Sequence, residues 1–252
     1  TIFDEGVANV FGLSVGQVTV MIHSGSRGFG YQICDDHLEV MERAMPRYGI
    51  RVPDRQLACA PIQSEEGRRY LGAIRCAANF AWANRQCLMH LARGVFERVF
   101  GRSWEQLGMS LIYDVAHNIA KLEDGLLVHR KGATRAFAPD HPEIPKKYRP
   151  YGQPVLIPGS MGTASYILAG TEKGKESFYS TAHGAGRRMS RHQAVKTLSG
   201  KEIVGDLARR NIIIKCYSMR GIAEEAPQAY KDIDEVVEVV CQAGLSKKVA
   251  RL

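Results

Sequence analysis

The sequence lacks the features of a membrane protein and of a secreted, disulfide-rich protein. No segment approaches the run of about 18 apolar residues that a membrane-spanning helix needs, and residues 1–5 lack the basic start and apolar centre of a signal peptide. None of the six cysteines forms a C-x-x-C pair, and several lie among apolar residues. We therefore predict a reduced cytoplasmic protein with buried thiols and no membrane partner, a nuclear location also being compatible with a eukaryotic source.

Acidic residues are in the minority. The chain has 26 Asp and Glu against 34 Lys and Arg, a net charge of +8. Five basic residues and no acid lie between positions 183 and 201, and six basic residues outweigh two acids between 127 and 150. Such a balance serves solubility alone or marks a polyanionic partner such as RNA, DNA or a nucleotide. The basic stretches coincide with glycine-rich loops, which favours a polyanionic partner.

The composition is that of a globular protein with a substantial core. With 252 residues, of which 45% are hydrophobic and 24% charged, the chain is neither disordered, coiled-coil nor collagen-like. Alternating apolar residues predict strands, and helical spacing predicts helices. The predicted strands are 17–23, 111–117, 126–130, 155–157, 165–169 and 211–217. The predicted helices are 35–45, 65–100 (one helix or a pair) and 232–243, with a surface loop over 139–154.

Strands and helices mix without a strict βα repeat, so we predict an α+β fold with a mixed sheet core and flanking helices. Three histidines share a local pattern within it. His23 and His117 each end a predicted strand, and His183 opens the glycine-rich run His-Gly-Ala-Gly. A strand end fixes a side chain while the following turn leaves room for a ligand. Each histidine alone is more often structural, but three in one context indicate function.

Imidazole chemistry leaves two roles open, since neutral histidine binds Mn, Zn or Fe and is also a nucleophile toward phosphorus. The glycine-rich loops 158–163 and 183–186 could bring backbone N–H groups to phosphate oxygens, or could simply be tight turns. Arg187 could clamp a phosphate bidentately, as could the pair Lys131 and Arg135, or these residues could form a solvated basic face. Tyr230 could stack on a base or act as a hydrophobic staple.

Five segments in order along the chain are similar to the RtcB-type RNA ligases of archaeal and eukaryotic style. They are 21–28, 113–121, 129–137, 158–163 and 183–187. The resemblance covers nearly the whole chain as one catalytic domain, 1–252, with an RtcB-like fold. It implies an enzyme of tRNA splicing and RNA repair, which joins an RNA 3′-phosphate or 2′,3′-cyclic phosphate to a 5′-hydroxyl. GTP is the implied co-substrate and Mn²⁺ the implied cofactor, with two ions in the complete protein.

The resemblance also implies roles for single residues. His183 would be the catalytic nucleophile that carries GMP, and His23 and His117 would be manganese ligands. Guanylate contacts would come from His183 and from Asn118, Pro158, Gly159, Ser160, Met161, Ser165, Gly184, Ala185, Gly186, Arg187 and Tyr230. An archease-like activator is a further implied partner.

Parts of the family pattern are not present in this sequence. The Asp-x-x-Cys motif and the Gly-Asn-His-Phe segment, which supply further metal ligands, are absent, as is a C-terminal lysine tail. We therefore interpret the chain as the C-terminal portion of a longer protein and expect it to become guanylylated poorly without the missing segments. The alternatives are an RNA- or nucleotide-binding fragment or paralogue without turnover, and a metal-dependent phosphatase or cyclic phosphodiesterase acting on RNA ends.

Overall fold

The structure is a computed structural model that describes residues 1–252. The chain divides into two compact units. The sheet unit comprises Thr1–Thr19 and Leu111–Leu252, and the helical unit comprises Val20–Ser110. The helices are α1 (Glu5–Phe11), α2 (Arg27–Ala44), α3 (Glu65–Phe100), α4 (Arg191–Thr197), α5 (Gly200–Arg209), α6 (Met219–Glu224) and α7 (Ile233–Gln242). The strands are β1 (Asn118–Glu123), β2 (Leu126–Lys131), β3 (Ala133–Arg135), β4 (Pro154–Ile157), β5 (Tyr166–Gly170), β6 (Ser180–Ala182) and β7 (Ser246–Arg251).

The helical unit is built on two long helices. The predicted helix 35–45 is present, but α2 begins eight residues earlier, at Arg27. The segment 65–100 is one helix, α3, rather than a pair. Ser64 caps its first turn by accepting a hydrogen bond from the Gly67 amide, and Gly101 ends it in a left-handed conformation with φ 64°. The segment contains no proline, and residues 73–93 contain no glycine, so nothing between the two strong caps breaks the helix.

The sheet unit contains three small antiparallel sheets. Strand β1 pairs with β2, β3 with β6, and β4, β5 and β7 form a three-stranded sheet. Asp124 and Gly125 join β1 to β2 with φ of 47° and 78°, the two left-handed residues that a two-residue hairpin loop requires. Helix α7 packs on the three-stranded sheet through Ile233 and Val237, which are buried with Val155 and Leu168. Helices and antiparallel strands in separate segments confirm the α+β class.

Three predicted strands are wrong. Segments 17–23, 111–117 and 211–217 have no regular secondary structure. Alternation makes a segment amphipathic, but a strand also needs a neighbour that accepts and donates its backbone hydrogen bonds, and no segment of this chain pairs with these three. In 211–217 the alternation is still visible, since Ile212 and Ile214 pack against the α5–α6 core while the Ile213 side chain between them is 82% exposed.

Other predictions hold in part. Segments 126–130, 155–157, 165–169 and 232–243 correspond to β2, β4, β5 and α7 within one or two residues, whereas β1, β3, β6 and β7 were not predicted. The loop 139–154 does not lie wholly on the surface, because Ile144 and Tyr148 are buried and the Tyr148 hydroxyl donates to the Ile112 carbonyl at 2.7 Å.

The prediction of buried thiols is wrong, since five of the six cysteines are exposed and Cys241 is half-buried. Neighbouring apolar residues suggested burial, but the Cys76 and Cys87 thiols lie on the exposed side of α3.

No helix combines the length and the apolar character needed to cross a bilayer.

Candidate active site

Two of the three predicted histidines lie side by side in the sheet unit. The His117 and His183 rings have their centroids 4.6 Å apart, with an angle of 32° between their planes. Both side chains are half-buried. They are 66 residues apart in the sequence, so the fold and not local sequence brings them together.

Strand register explains this pairing. His117 precedes β1 directly, and its carbonyl accepts a hydrogen bond of 3.0 Å from the Gly132 amide just beyond β2. Across the second sheet, Ala133 of β3 is the partner of Ala182 in β6, so His183 emerges opposite Gly132. Gly132 has φ 67°, and a β-carbon built there would lie 3.5 Å from the His183 ring. The histidines therefore flank one glycine at which two β-ladders meet.

The glycine-rich loop 158–163 lies against the turn that begins at His183. The Ala185 amide donates to the Pro158 carbonyl at 3.2 Å, and a β-carbon at Gly184 would lie 3.0 Å from the same carbonyl oxygen. Glycine is needed at 184 because the two backbones approach so closely. The two loops predicted to surround a phosphate are thus neighbours in the sheet unit.

The 158–163 loop is closed by its own hydrogen bonds. The Ser160 amide donates to the Thr163 hydroxyl at 2.7 Å, and the Gly159 amide donates to the Ser165 hydroxyl at 3.3 Å. Met161 contacts the α5–α6 core. In this state the loop is a tight turn, which was the simpler of the two interpretations of the sequence. Its predicted contact with guanylate stays a prediction.

Arg187 is held by protein groups on all three nitrogens. Its Nη2 donates to the Glu224 carbonyl at 2.6 Å, its Nη1 to the Tyr230 hydroxyl at 3.0 Å, and its Nε to the Met189 carbonyl at 3.0 Å. The guanidinium carbon also lies 4.9 Å from the centre of the Tyr230 ring, a cation–π contact. In this conformation Arg187 fastens the turn after His183 to residues 224–230, and its role as a phosphate clamp remains a prediction.

Sequence reasoning missed Glu225. Its carboxylate accepts from the Tyr230 hydroxyl and forms ion pairs with Arg191 at 3.1 Å and Arg187 at 3.4 Å. Burial disfavours the charge of Glu225, but the hydrogen bond from Tyr230 and the charges of Arg191 and Arg187 outweigh it, so its pKa is lowered. Burial and the Glu225 carboxylate raise the pKa of Tyr230. The signal that the sequence offered was an acid five residues before Tyr230, in a chain with a basic stretch at 187–201.

The remaining predicted residues lie nearby in the sheet unit but make fewer contacts. Asn118 is the exposed first residue of β1. Ser165 precedes β5, and its carbonyl accepts from the Leu252 amide at 2.9 Å. Gly186 accepts through its carbonyl from the Lys231 amide at 3.0 Å. Of the second candidate clamp, Lys131 is exposed, whereas Arg135 pairs with Glu143 at 2.8 Å.

His23 belongs to the helical unit. It is exposed and lies in the irregular segment before α2. The loop after it is tied to α3, since the Asn84 amide donates to the Ser24 hydroxyl at 2.8 Å and to the Gly25 carbonyl at 2.9 Å. The prediction that His23 and His117 bind one ion stays a prediction.

Comparison with known proteins places the chain in a family. The family model described as "tRNA-splicing ligase RtcB" matches residues 1–252. The chain belongs to the RtcB family. It is 57% identical to the tRNA-splicing ligase RtcB of Pyrococcus abyssi, 56% to that of Archaeoglobus fulgidus and 52% to that of Thermococcus kodakarensis, in each case over 100% of this chain.

The chain is shorter than these RtcB proteins. It spans 28% of the Pyrococcus abyssi protein and 54% of both the Archaeoglobus fulgidus and the Thermococcus kodakarensis proteins. It therefore corresponds to about half or less of the length of the curated relatives. The resemblance found in the five segments is confirmed over the whole chain.

The residues present do not make a complete manganese site. Imidazole is suitable donor chemistry for Mn²⁺, and His117 and His183 are close together. No group of three or more His, Cys, Asp or Glu side chains in residues 1–252 is arranged to hold an ion. Two neutral donors fall short of the four to six ligands that such ions take in proteins.

Proposed function

We propose that this chain carries the nucleotide-accepting half of a GTP- and Mn²⁺-dependent RNA ligase, with His183 as the residue that receives GMP. The observation that carries the proposal is the contact between His183 and His117 beside two glycine-rich loops, in a chain of the RtcB family. The substrates would be RNA 3′-phosphate or 2′,3′-cyclic phosphate ends and 5′-hydroxyl ends, as in tRNA splicing and RNA repair.

Three transfers account for the reaction. A ring nitrogen of His183 attacks the α-phosphorus of GTP, forming a P–N bond as the bond to pyrophosphate breaks. An oxygen of the RNA 3′-phosphate then attacks the same phosphorus, so that the P–N bond breaks and an RNA–GMP anhydride forms. The 5′-hydroxyl attacks the RNA phosphorus, loses its proton and displaces GMP. A cyclic phosphate first takes up water to open to the 3′-phosphate.

The residues of this chain have defined tasks in that scheme. The β6 strand presents His183. The neutral imidazole is the attacking form: its unprotonated nitrogen attacks phosphorus, while the other nitrogen carries an N–H whose proton is given up to, or shared with, an acceptor as the P–N bond forms. The amides of Gly184 and Gly186 are suited to the negative oxygens around phosphorus, whereas that of Ala185 is bonded to the Pro158 carbonyl. The basic residues between 187 and 201 raise the local concentration of RNA and GTP, an attraction that salt screens.

Manganese and the partners complete the proposal. We propose that His23 and His117 contribute to Mn²⁺ binding in the complete protein, with further donors from outside this chain, and the scheme above is written without the ion for that reason. RNA ends and GTP are the proposed substrates. An archease-like activator is a proposed partner.

The direct test is covalent labelling. The full-length protein is incubated with Mn²⁺ and GTP labelled at the α-phosphate, and we expect an acid-labile, base-stable label that His183→Ala abolishes. His192→Ala is the matched control, because His192 is an exposed histidine of α4, and it should label normally. Label retained by His183→Ala would contradict the proposed nucleophile, and RNA binding without any label would favour a non-catalytic binding role.

A further inference from the structure

The buried side chain of Arg130 is not explained by nucleotide or RNA binding. Only 1% of this side chain is exposed, and 8% of its partner, Glu123. Its Nη1 and Nη2 donate to the two Glu123 carboxylate oxygens at 2.9 and 2.6 Å, across the β1–β2 hairpin. A guanidinium so deeply buried cannot reach a phosphate in solvent, so its task lies within the protein.

The other two hydrogen bonds of Arg130 leave the hairpin. Its Nε donates to the Ser180 hydroxyl at 3.0 Å and its Nη2 to the Phe178 carbonyl at 2.8 Å. These acceptors lie at the start of β6, the strand that ends immediately before His183. Two of the four hydrogen bonds from this planar group therefore join the hairpin that begins after His117 to the strand that presents His183, while the other two hold the group to Glu123.

The segment that Arg130 holds has an unfavourable backbone. Phe178 and Tyr179 both have positive φ, 54° and 49°, a conformation that residues with a β-carbon rarely adopt. Such residues persist where the surroundings hold them. The Tyr179 carbonyl is fixed by the Ala136 amide at 2.7 Å, and the Phe178 carbonyl is fixed by Arg130. The turn is also held by the Tyr179 amide, which donates to the Gly174 carbonyl at 2.7 Å, and by the Phe178 amide, which donates to the Lys175 carbonyl at 3.2 Å. Without Arg130 the turn would lose its hydrogen bonds to the β1–β2 hairpin, and with them a restraint on the direction of β6.

We propose that Arg130 is a positioning residue that sets the spacing of His117 and His183, with Glu123 holding its guanidinium in the plane needed to reach Ser180 and Phe178. The expected effect of Arg130 on guanylylation rests on the proposed function. The inference concerns a buried ion pair, Arg130 with Glu123, whose hydrogen bonds go to Ser180 and Phe178. Removal of Arg130 would misplace the nucleophile rather than remove a substrate contact.

The test uses Arg130→Lys, which keeps a cation beside Glu123 but cannot form the fork to Ser180 and Phe178, and Arg130→Met, which keeps only the apolar stem. Phe11→Leu is the stability control, since Phe11 is buried against Tyr148 in another core cluster. We measure Tm, the single-turnover rate of guanylylation at saturating GTP, and KM for GTP. Arg130→Lys should slow guanylylation about 10- to 100-fold with KM changed less than about twofold, and Arg130→Met should slow it further.

A purely structural role predicts a different result. If Arg130→Lys slows guanylylation no more than Phe11→Leu does at an equal loss of Tm, the positioning role is refuted. If the wild-type protein takes up no label, the proposed function is refuted. The positioning role is then tested by amide hydrogen exchange instead. The Gly132 and Ala136 amides, bonded to the His117 and Tyr179 carbonyls, should then exchange at least about tenfold faster in Arg130→Lys than in Phe11→Leu. Equal exchange in the two variants overturns the proposal.

Discussion

His117 and His23 follow the same sequence pattern, yet their surroundings differ. His117 lies where two β-ladders meet, with its carbonyl bonded to Gly132 and its ring against His183. His23 lies in an irregular segment of the helical unit, and Asn84 of α3 bonds to Ser24 and Gly25 just after it. Neither alternating run, 17–23 or 111–117, forms a strand; His117 differs because β1 begins at the next residue and pairs with β2. The lesson is that an alternating run does not by itself make a strand, because a strand needs a neighbouring segment that supplies the other half of the ladder.

The surroundings of His117 should be the more sensitive to a single change. Glu123→Gln leaves the buried Arg130 guanidinium without a counter-charge, and removing one partner of a buried pair costs about 3–5 kcal/mol. We therefore expect the free energy of unfolding to fall by about that amount. Denaturant unfolding followed by circular dichroism measures it.

The control for this prediction is Glu39→Gln in the helical unit. Glu39 pairs with Arg43 one turn along α2, with 60% and 81% of the two side chains exposed. Exposed pairs of this kind contribute about 0.3–0.5 kcal/mol. Equal losses in the two variants would contradict the contrast between a buried and an exposed carboxylate.

The support of the His23 segment can be removed by Asn84→Ala. The change deletes two hydrogen bonds, to Ser24 and Gly25, each worth about 1 kcal/mol. We expect a loss of up to about 2 kcal/mol and faster amide exchange in residues 21–26, with β1 and β2 unaffected. Asn79→Ala, at an exposed position of the same helix, is the control. Unchanged exchange in 21–26 would show that Asn84 does not hold this segment.

The smallest effect is expected at Glu225, near the nucleotide-accepting turn. Because its pKa is lower in the folded protein, its ionised form favours folding at neutral pH, and this contribution disappears as pH falls through the folded pKa, below the ordinary value near 4.5. Wild type should therefore exceed Glu225→Gln in Tm at pH 7, and the difference should shrink as pH falls below the ordinary value of 4.5. A difference that grows toward low pH would contradict the sign of the shift.

The sequence predicted the elements that are stabilised locally. The α3 helix carries its own caps, Ser64 and Gly101, and its segment was predicted to be one helix or a pair. Strand β2 was also predicted, but its partner β1 was not, although the short turn at Asp124 and Gly125 joins them. The α+β class, α3, β2 and the family resemblance could therefore be found from residue patterns alone. The segment 211–217 could not be judged in this way, because its alternation is real but it has no pairing partner, which local sequence does not specify.

In the candidate site, too, the sequence predicted residue types but not the contacts between distant segments. That His117 and His183 are chemically suited to one site follows from residue type and from glycine-rich neighbours. Their 4.6 Å contact, the closure of the 158–163 loop and the engagement of Arg187 by Glu224 and Tyr230 do not follow, since each joins residues far apart in sequence. Glu225 escaped notice because its nearness in sequence to Tyr230 does not show that Arg187, Arg191 and Tyr230 converge on one carboxylate.

The order of residues by itself determined which side chains can do phosphoryl chemistry, where the tightest turns fall and which family the chain resembles, because these depend on residue identity and near neighbours. Only the tertiary structure decided that Gly132 lies between two histidines and that Arg130 is buried between the β1–β2 hairpin and the start of β6. Both facts arise from strand register, which is set by which backbone groups find partners across the sheet.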